Sequence, residues 1–143
     1  MIGMANARFQ FHDNSRQTIS ALEDAQEARL REATMEWHAG VVEDMLTGTR
    51  SGRAYRIPGS TRTYRASRPG EAPATVTGRL RSSYQFRVRE EGGKKIGEVG
   101  SPLDYALYLE KGTRRMAPRP HLVPAFYKRE NAIKDALQRE WVR

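Results

Sequence analysis

The sequence predicts an α+β fold. A long N-terminal helix packs on a small antiparallel sheet, a short helix and a C-terminal helix follow, and an extended arginine-rich arm interrupts the order. Three observations predict this. Apolar residues recur at helical spacing over 15–47. Residues 84–89 alternate apolar and polar and face 96–100 across the turn glycines Gly92 and Gly93. Residues 50–89 hold ten arginines and one acid, Glu71, so the segment carries about the whole +8 net charge of the chain.

The 143 residues fit one domain, 1–143. Only 38% are hydrophobic, so the core is small relative to the surface, as in chains that assemble or carry long arms. Residues 1–14 lack periodicity and read as an N-terminal arm. Ile19, Leu22, Leu30, Ala33, Trp37, Val41 and Met45 form one stripe of the first helix. Glu23, Asp24, Glu27, Arg31, Glu32 and Glu36 occupy the opposite face. Ser15 or Thr18 suits the start, and Gly48 suits a left-handed C-cap. So long a stripe exceeds what a small domain covers, and part of it is expected against another copy. Trp37 and Met35 read as core or interface, not as a ligand box.

Residues 50–76 are rich in Arg, Pro and Gly and form a loop or hairpin arm. Within it, 53–57 and 62–66 are short strands about the turn Pro58-Gly59-Ser60. Pro69 and Pro73 exclude regular structure over 68–74. The arm is expected to order against neighbouring subunits. Residues 77–83 suit one helical turn. The strand pair comes next, and Ser101-Pro102 opens a short helix that ends at Gly112. The last helix runs over about 122–141, with Phe126, Ile133, Leu137 and Trp141 as its apolar face.

Chemistry is sparse. There is no cysteine, which excludes disulfides and thiolate sites. His12, His38 and His121 lack metal-ligand spacing, and no cofactor or metal is expected. Asp104 and Glu110 share the short helix without a nucleophile or phosphate cradle, so they read as surface charges, with Glu110 pairing near Lys111 or Arg114, and not as an acid/base pair. No enzyme is expected. No apolar stretch reaches membrane-span length, and no signal core opens the chain, so a cytoplasmic site of synthesis is expected.

The arm admits two partners. Arg53, Arg56, Arg62, Arg65 and Arg68, with Tyr55 and Tyr64 between them, suit phosphates and stacked bases of DNA or RNA. They suit better still an acidic protein surface, such as the acidic face of the first helix in a neighbouring copy, or solvent.

Two stretches carry a resemblance. Residues 67–83 read SRPGEAPATVTGRLRSS, and 100–125 read GSPLDYALYLEKGTRRMAPRPHLVPA. Together they resemble the small HK97-type neck and tail-completion proteins, the head–tail joining or minor tail components of long-tailed bacteriophages. His121 departs from the pattern, which prefers an aromatic residue there. The resemblance covers roughly 64–127 and implies a structural, non-enzymatic virion protein. It implies a homo-oligomeric ring of six or twelve copies at the head–tail junction, around the DNA passage. The implied partners are head-completion, tail-terminator or tail-tube proteins. Tyr105, Glu110, Gly112, Thr113, Arg119 and Pro120 match the pattern and are expected to set the fold and its subunit contacts. Arg114 and Arg115 are expected as docking contacts beside them.

Overall fold

The computed structural model describes residues 15–139. The expected N-terminal arm and Trp141 lie outside the described residues. In chain order the elements are helix α1 (Ser15–Thr47), strands β1 (Ala54–Arg56) and β2 (Thr63–Arg65), helix α2 (Arg79–Ser83), strands β3 (Gln85–Glu91) and β4 (Lys94–Gly100), and helices α3 (Asp104–Lys111), α4 (Leu122–Lys128) and α5 (Glu130–Gln138).

The expected α+β class holds, with one correction. The strands form two separate antiparallel pairs, β1–β2 within the arm and β3–β4 as the small sheet. The expected C-terminal helix is two helices meeting at Arg129. The Arg129 N–H donates back to the carbonyls of both Ala125 and Phe126 at 3.2 Å, while the Ile133 N–H donates to the Arg129 carbonyl. One residue thus closes α4 and starts α5.

Helix α1 is the spine. It packs against β3, β4, α4 and α5. Trp37 joins two small clusters, one of Val41, Met45, Tyr84, Ala106 and Ala125, the other of Ala33, Ile133 and Ala136. Its indole N–H donates to the Leu122 carbonyl at 2.8 Å, and its ring meets Phe126 edge-on at 5.4 Å. Glycine lets the layers approach. A Cβ at Gly40 would lie 2.9 Å from Arg129 Cγ, and one at Gly97 would lie 2.1 Å from Thr34 Oγ1.

Most acids of α1 are paired within the chain. Glu27 pairs with Lys95 at 2.9 Å, Glu32 with Arg139 at 2.8 Å, and Asp44 with Lys128 at 2.9 Å. Arg129 bridges Glu36 at 3.0 Å and Glu43. These pairs clamp β4, α4 and α5 onto the spine. In Glu27 the Lys95 ammonium holds the carboxyl below its ordinary range.

Helix ends differ from expectation in two places. Gly48 donates its N–H to the Asp44 carbonyl at 2.9 Å but is absent from the glycines with positive φ. A side chain there would strike the Asp44 carbonyl oxygen, at 2.2 Å from the Cβ. Helix α3 starts at Asp104, two residues beyond Pro102. Ser101 Oγ instead accepts the Leu103 N–H at 3.1 Å and holds the turn before the helix.

Candidate functional site

The residues singled out in 105–120 fall into two groups. Glu110, Gly112, Arg119 and Pro120 work inside the chain. Tyr105, Thr113, Arg114 and Arg115 are exposed.

Glu110 is the centre of the first group, with only 12% of its side chain exposed. Its carboxylate accepts the backbone N–H groups of His121 at 2.7 Å, Leu122 at 3.0 Å and Val123 at 3.2 Å. These are donors that the first turn of α4 leaves without helical partners. The expectation of a surface charge pairing near Lys111 or Arg114 is therefore corrected. No side chain in the α4 sequence caps its start, and Glu110 reaches across from α3 to do so. The negative charge also sits at the positive end of the helix.

Behind Glu110 lies a buried polar chain. His121 is fully buried and Tyr84 nearly so. His121 Nδ1 lies 2.9 Å from the Arg119 carbonyl and 3.2 Å from Glu110 Oε2. Both neighbours only accept, so the network assigns the proton to Nδ1. Nε2 then accepts the Tyr84 hydroxyl. Burial, with the Glu110 charge added, pushes the Tyr84 phenol up and keeps it protonated as donor. A carboxylate, an imidazole and a hydroxyl in series resemble a catalytic relay, but here the hydroxyl is buried and already bonded. The chain joins the α2–β3 junction, α3 and the start of α4.

The loop between α3 and α4 closes around Gly112, whose φ of 74° favours glycine. A Cβ there would lie 2.9 Å from both the Met116 oxygen and the Pro118 nitrogen. Thr113 and Met116 bridge, which leaves Arg114 and Arg115 at the exposed tip. The Arg119 N–H donates to the Leu109 carbonyl at 2.6 Å, and the Gly70 N–H donates to the Pro118 carbonyl at 3.0 Å. The loop thus holds the end of the arginine-rich segment.

That segment has fastenings of its own. The Glu71 carboxylate accepts the Ser51 hydroxyl, the Ser51 N–H at 3.0 Å and the Arg68 N–H at 2.8 Å. These bonds, the Ser51 hydroxyl first, hold its carboxyl down to about 2. The segment is thereby closed at its base within one chain. Beyond the base stands the β1–β2 hairpin, with Tyr55 opposite Tyr64 and their rings stacked at 5.9 Å. Arg53, Arg56, Arg62, Arg65 and Arg68 are all exposed. Among the described ion pairs none includes any of the five. Arg56 and Arg65 reach only the carbonyls of Ser60 and Gly52, and Arg53 lies over the Tyr55 ring.

A family model described as "Bacteriophage HK97-gp10, putative tail-component" matches residues 16–112, well over half of the chain. The chain belongs to the HK97-gp10-like family. Membership makes it a bacteriophage tail component, a structural part of the virion. The family match runs from α1 through the arginine hairpin and both strand pairs to Gly112; the Thr113–Pro120 part of the pattern lies beyond it. No curated protein and no solved structure matches. Among the described residues of this HK97-gp10-like chain, no group of three or more His, Asp or Glu could hold a metal ion, and no helix is long and apolar enough to cross a membrane.

Three residues escaped the sequence reading. Glu71, Arg129 and the capping role of Glu110 depend on partners 3 to 93 residues away. For Glu71 one signal was present: it is the lone acid among ten arginines.

Proposed function

We propose that this tail component is a ring subunit of six or twelve copies at the head–tail junction. It completes the tail and joins it to the head around the DNA passage. Its neighbours in this reading are head-completion, tail-terminator or tail-tube proteins, met after assembly in the host cytoplasm. Tyr105, Thr113, Arg114 and Arg115 provide contacts to them, on a loop whose shape Glu110, Gly112, Arg119 and Pro120 set.

One observation supports assembly above the rest. Every residue from Ser15 to Asp24 of α1 is exposed, including Ile19 at 55% and Leu22 at 43%. The stripe that Leu30, Ala33, Trp37, Val41 and Met45 continue thus stays exposed at Ile19 and Leu22 among the described residues. A second apolar set, Leu107 and Tyr108 on α3 with Val123 and Tyr127 on α4, is also exposed. Two different open faces on one chain suit a head-to-tail contact, which closes into a ring when the rotation allows.

Native mass spectrometry tests this. The wild-type chain is expected as a closed oligomer, and Ile19→Asp with Leu22→Asp is expected as a folded monomer. A wild type that stays monomeric with its junction partners present overturns the reading.

A further inference from the structure

We propose that the β1–β2 hairpin is a two-faced cationic ribbon that holds the phosphate backbone of double-stranded DNA. The choice of DNA over other polyanions rests on the junction reading; the charge argument stands without it.

Several arginines of the body are paired: Arg87 and Arg89 share Glu98 at 2.7 and 2.6 Å, Arg129 bridges Glu36 and Glu43, and Arg139 takes Glu32. The five around the hairpin stand outside every described ion pair. Most acids of α1 are already paired: Lys95 takes Glu27, Lys128 takes Asp44, Arg129 takes Glu36 and Glu43, and Arg139 takes Glu32. A second copy brings the same paired acids, with Glu23 and Asp24 outside the described ion pairs. Bringing hairpins together in an oligomer would concentrate positive charge with little complement. A polyanion from outside the chain supplies that complement.

The geometry favours backbone contact. The ladder extends past the strands, through Gly52 to Ala66 at one end and Ile57 to Arg62 at the other. By alternation, Arg53 and Arg62 flank the Tyr55–Tyr64 stack on one face. Arg56 and Arg65 stand on the other face with Ala54 and Thr63. The stacked rings stiffen the ribbon, and guanidinium groups with unused donors suit phosphate oxygens. Contacts to phosphate alone carry no sequence information, so binding is expected to be indifferent to sequence.

The test is salt-dependent binding of the full chain to a fluorescent 30-base-pair duplex (its length is about three helical turns). Four phosphate contacts give a slope of log affinity on log salt near −4, and a loss on the order of 100-fold between roughly 50 and 200 mM salt. Replacing Arg53, Arg56, Arg62 and Arg65 together by Gln is expected to flatten that slope by about 3 to 4. The corresponding Lys variant should keep it. Arg79→Gln with Lys94→Gln, which removes exposed charge elsewhere, should change it by less than about 1. Single Arg53→Gln and Arg62→Gln variants, each expected to flatten the slope by about 1, serve if the quadruple variant unfolds. An unchanged slope overturns the proposal. So does a quadruple Gln variant that binds DNA normally but loses its oligomeric state, since that makes the hairpin a protein contact. Oligomeric state is read on the same samples. A ring without DNA binding sinks only this inference, and DNA binding by a monomer sinks only the ring.

Discussion

The backbone N–H of His121 donates to the Glu110 carboxylate at 2.7 Å, so a residue at the end of one helix caps the start of another. The contact lies inside the segment that carries the family resemblance. It gives a physical reason for an acid at position 110, since three backbone donors there are otherwise unpaired.

Glu110→Ala should destabilise the chain by roughly 2–3 kcal/mol, because buried donors lose their acceptor. Glu110→Gln keeps one acceptor oxygen and should cost less. Urea denaturation of the three proteins measures it. A loss under about 0.5 kcal/mol for the Ala variant contradicts the capping role.

His121→Phe restores the aromatic residue that the resemblance prefers, yet it should destabilise this chain by about 1–3 kcal/mol. The buried Tyr84 hydroxyl would lose its acceptor. Adding Tyr84→Phe removes the orphaned hydroxyl, so the double variant should lose less than the sum of the singles. Strict additivity in a double-mutant cycle would show that the two residues do not act as a pair.

Gly112→Ala combines a positive φ with a Cβ only 2.9 Å from two backbone atoms. A destabilisation above about 1 kcal/mol is expected. Thermal unfolding decides it, and an unchanged melting temperature contradicts the loop geometry.

Much of this was legible in the sequence and some was not. Helix α1 and the β3–β4 pair follow from local periodicity, which burial on one face enforces. The hairpin followed from its turn, and the weight of charge on it from composition. The break at Arg129 has no glycine or proline to announce it. It arises where the guanidinium is drawn between Glu36 and Glu43 on α1, 93 and 86 residues away. The acidic face of α1 looked available because its partners, Lys95, Lys128 and Arg139, are distant in the chain. Tertiary pairing used most of it, which is what the proposed DNA contact of the hairpin rests on.

The Glu71 carboxylate gives a pH signature. Its folded value is depressed to about 2 from an ordinary 4.5. A depressed acid stabilises above its unfolded value, and that contribution is lost as pH falls through the folded one. The hairpin base should therefore loosen between about pH 4.5 and 2. Amide exchange at Ser51 and Arg68 reports it, and Glu71→Gln should remove the dependence. Amides that exchange alike in both proteins across that range contradict the staple.

Electron microscopy of the particle that carries this protein tests the central claim most directly. The account expects a closed ring of this chain at the head–tail junction, with α1 between neighbouring copies and the β1–β2 hairpins turned towards the DNA. Isolated copies, or a ring elsewhere on the tail, would contradict it.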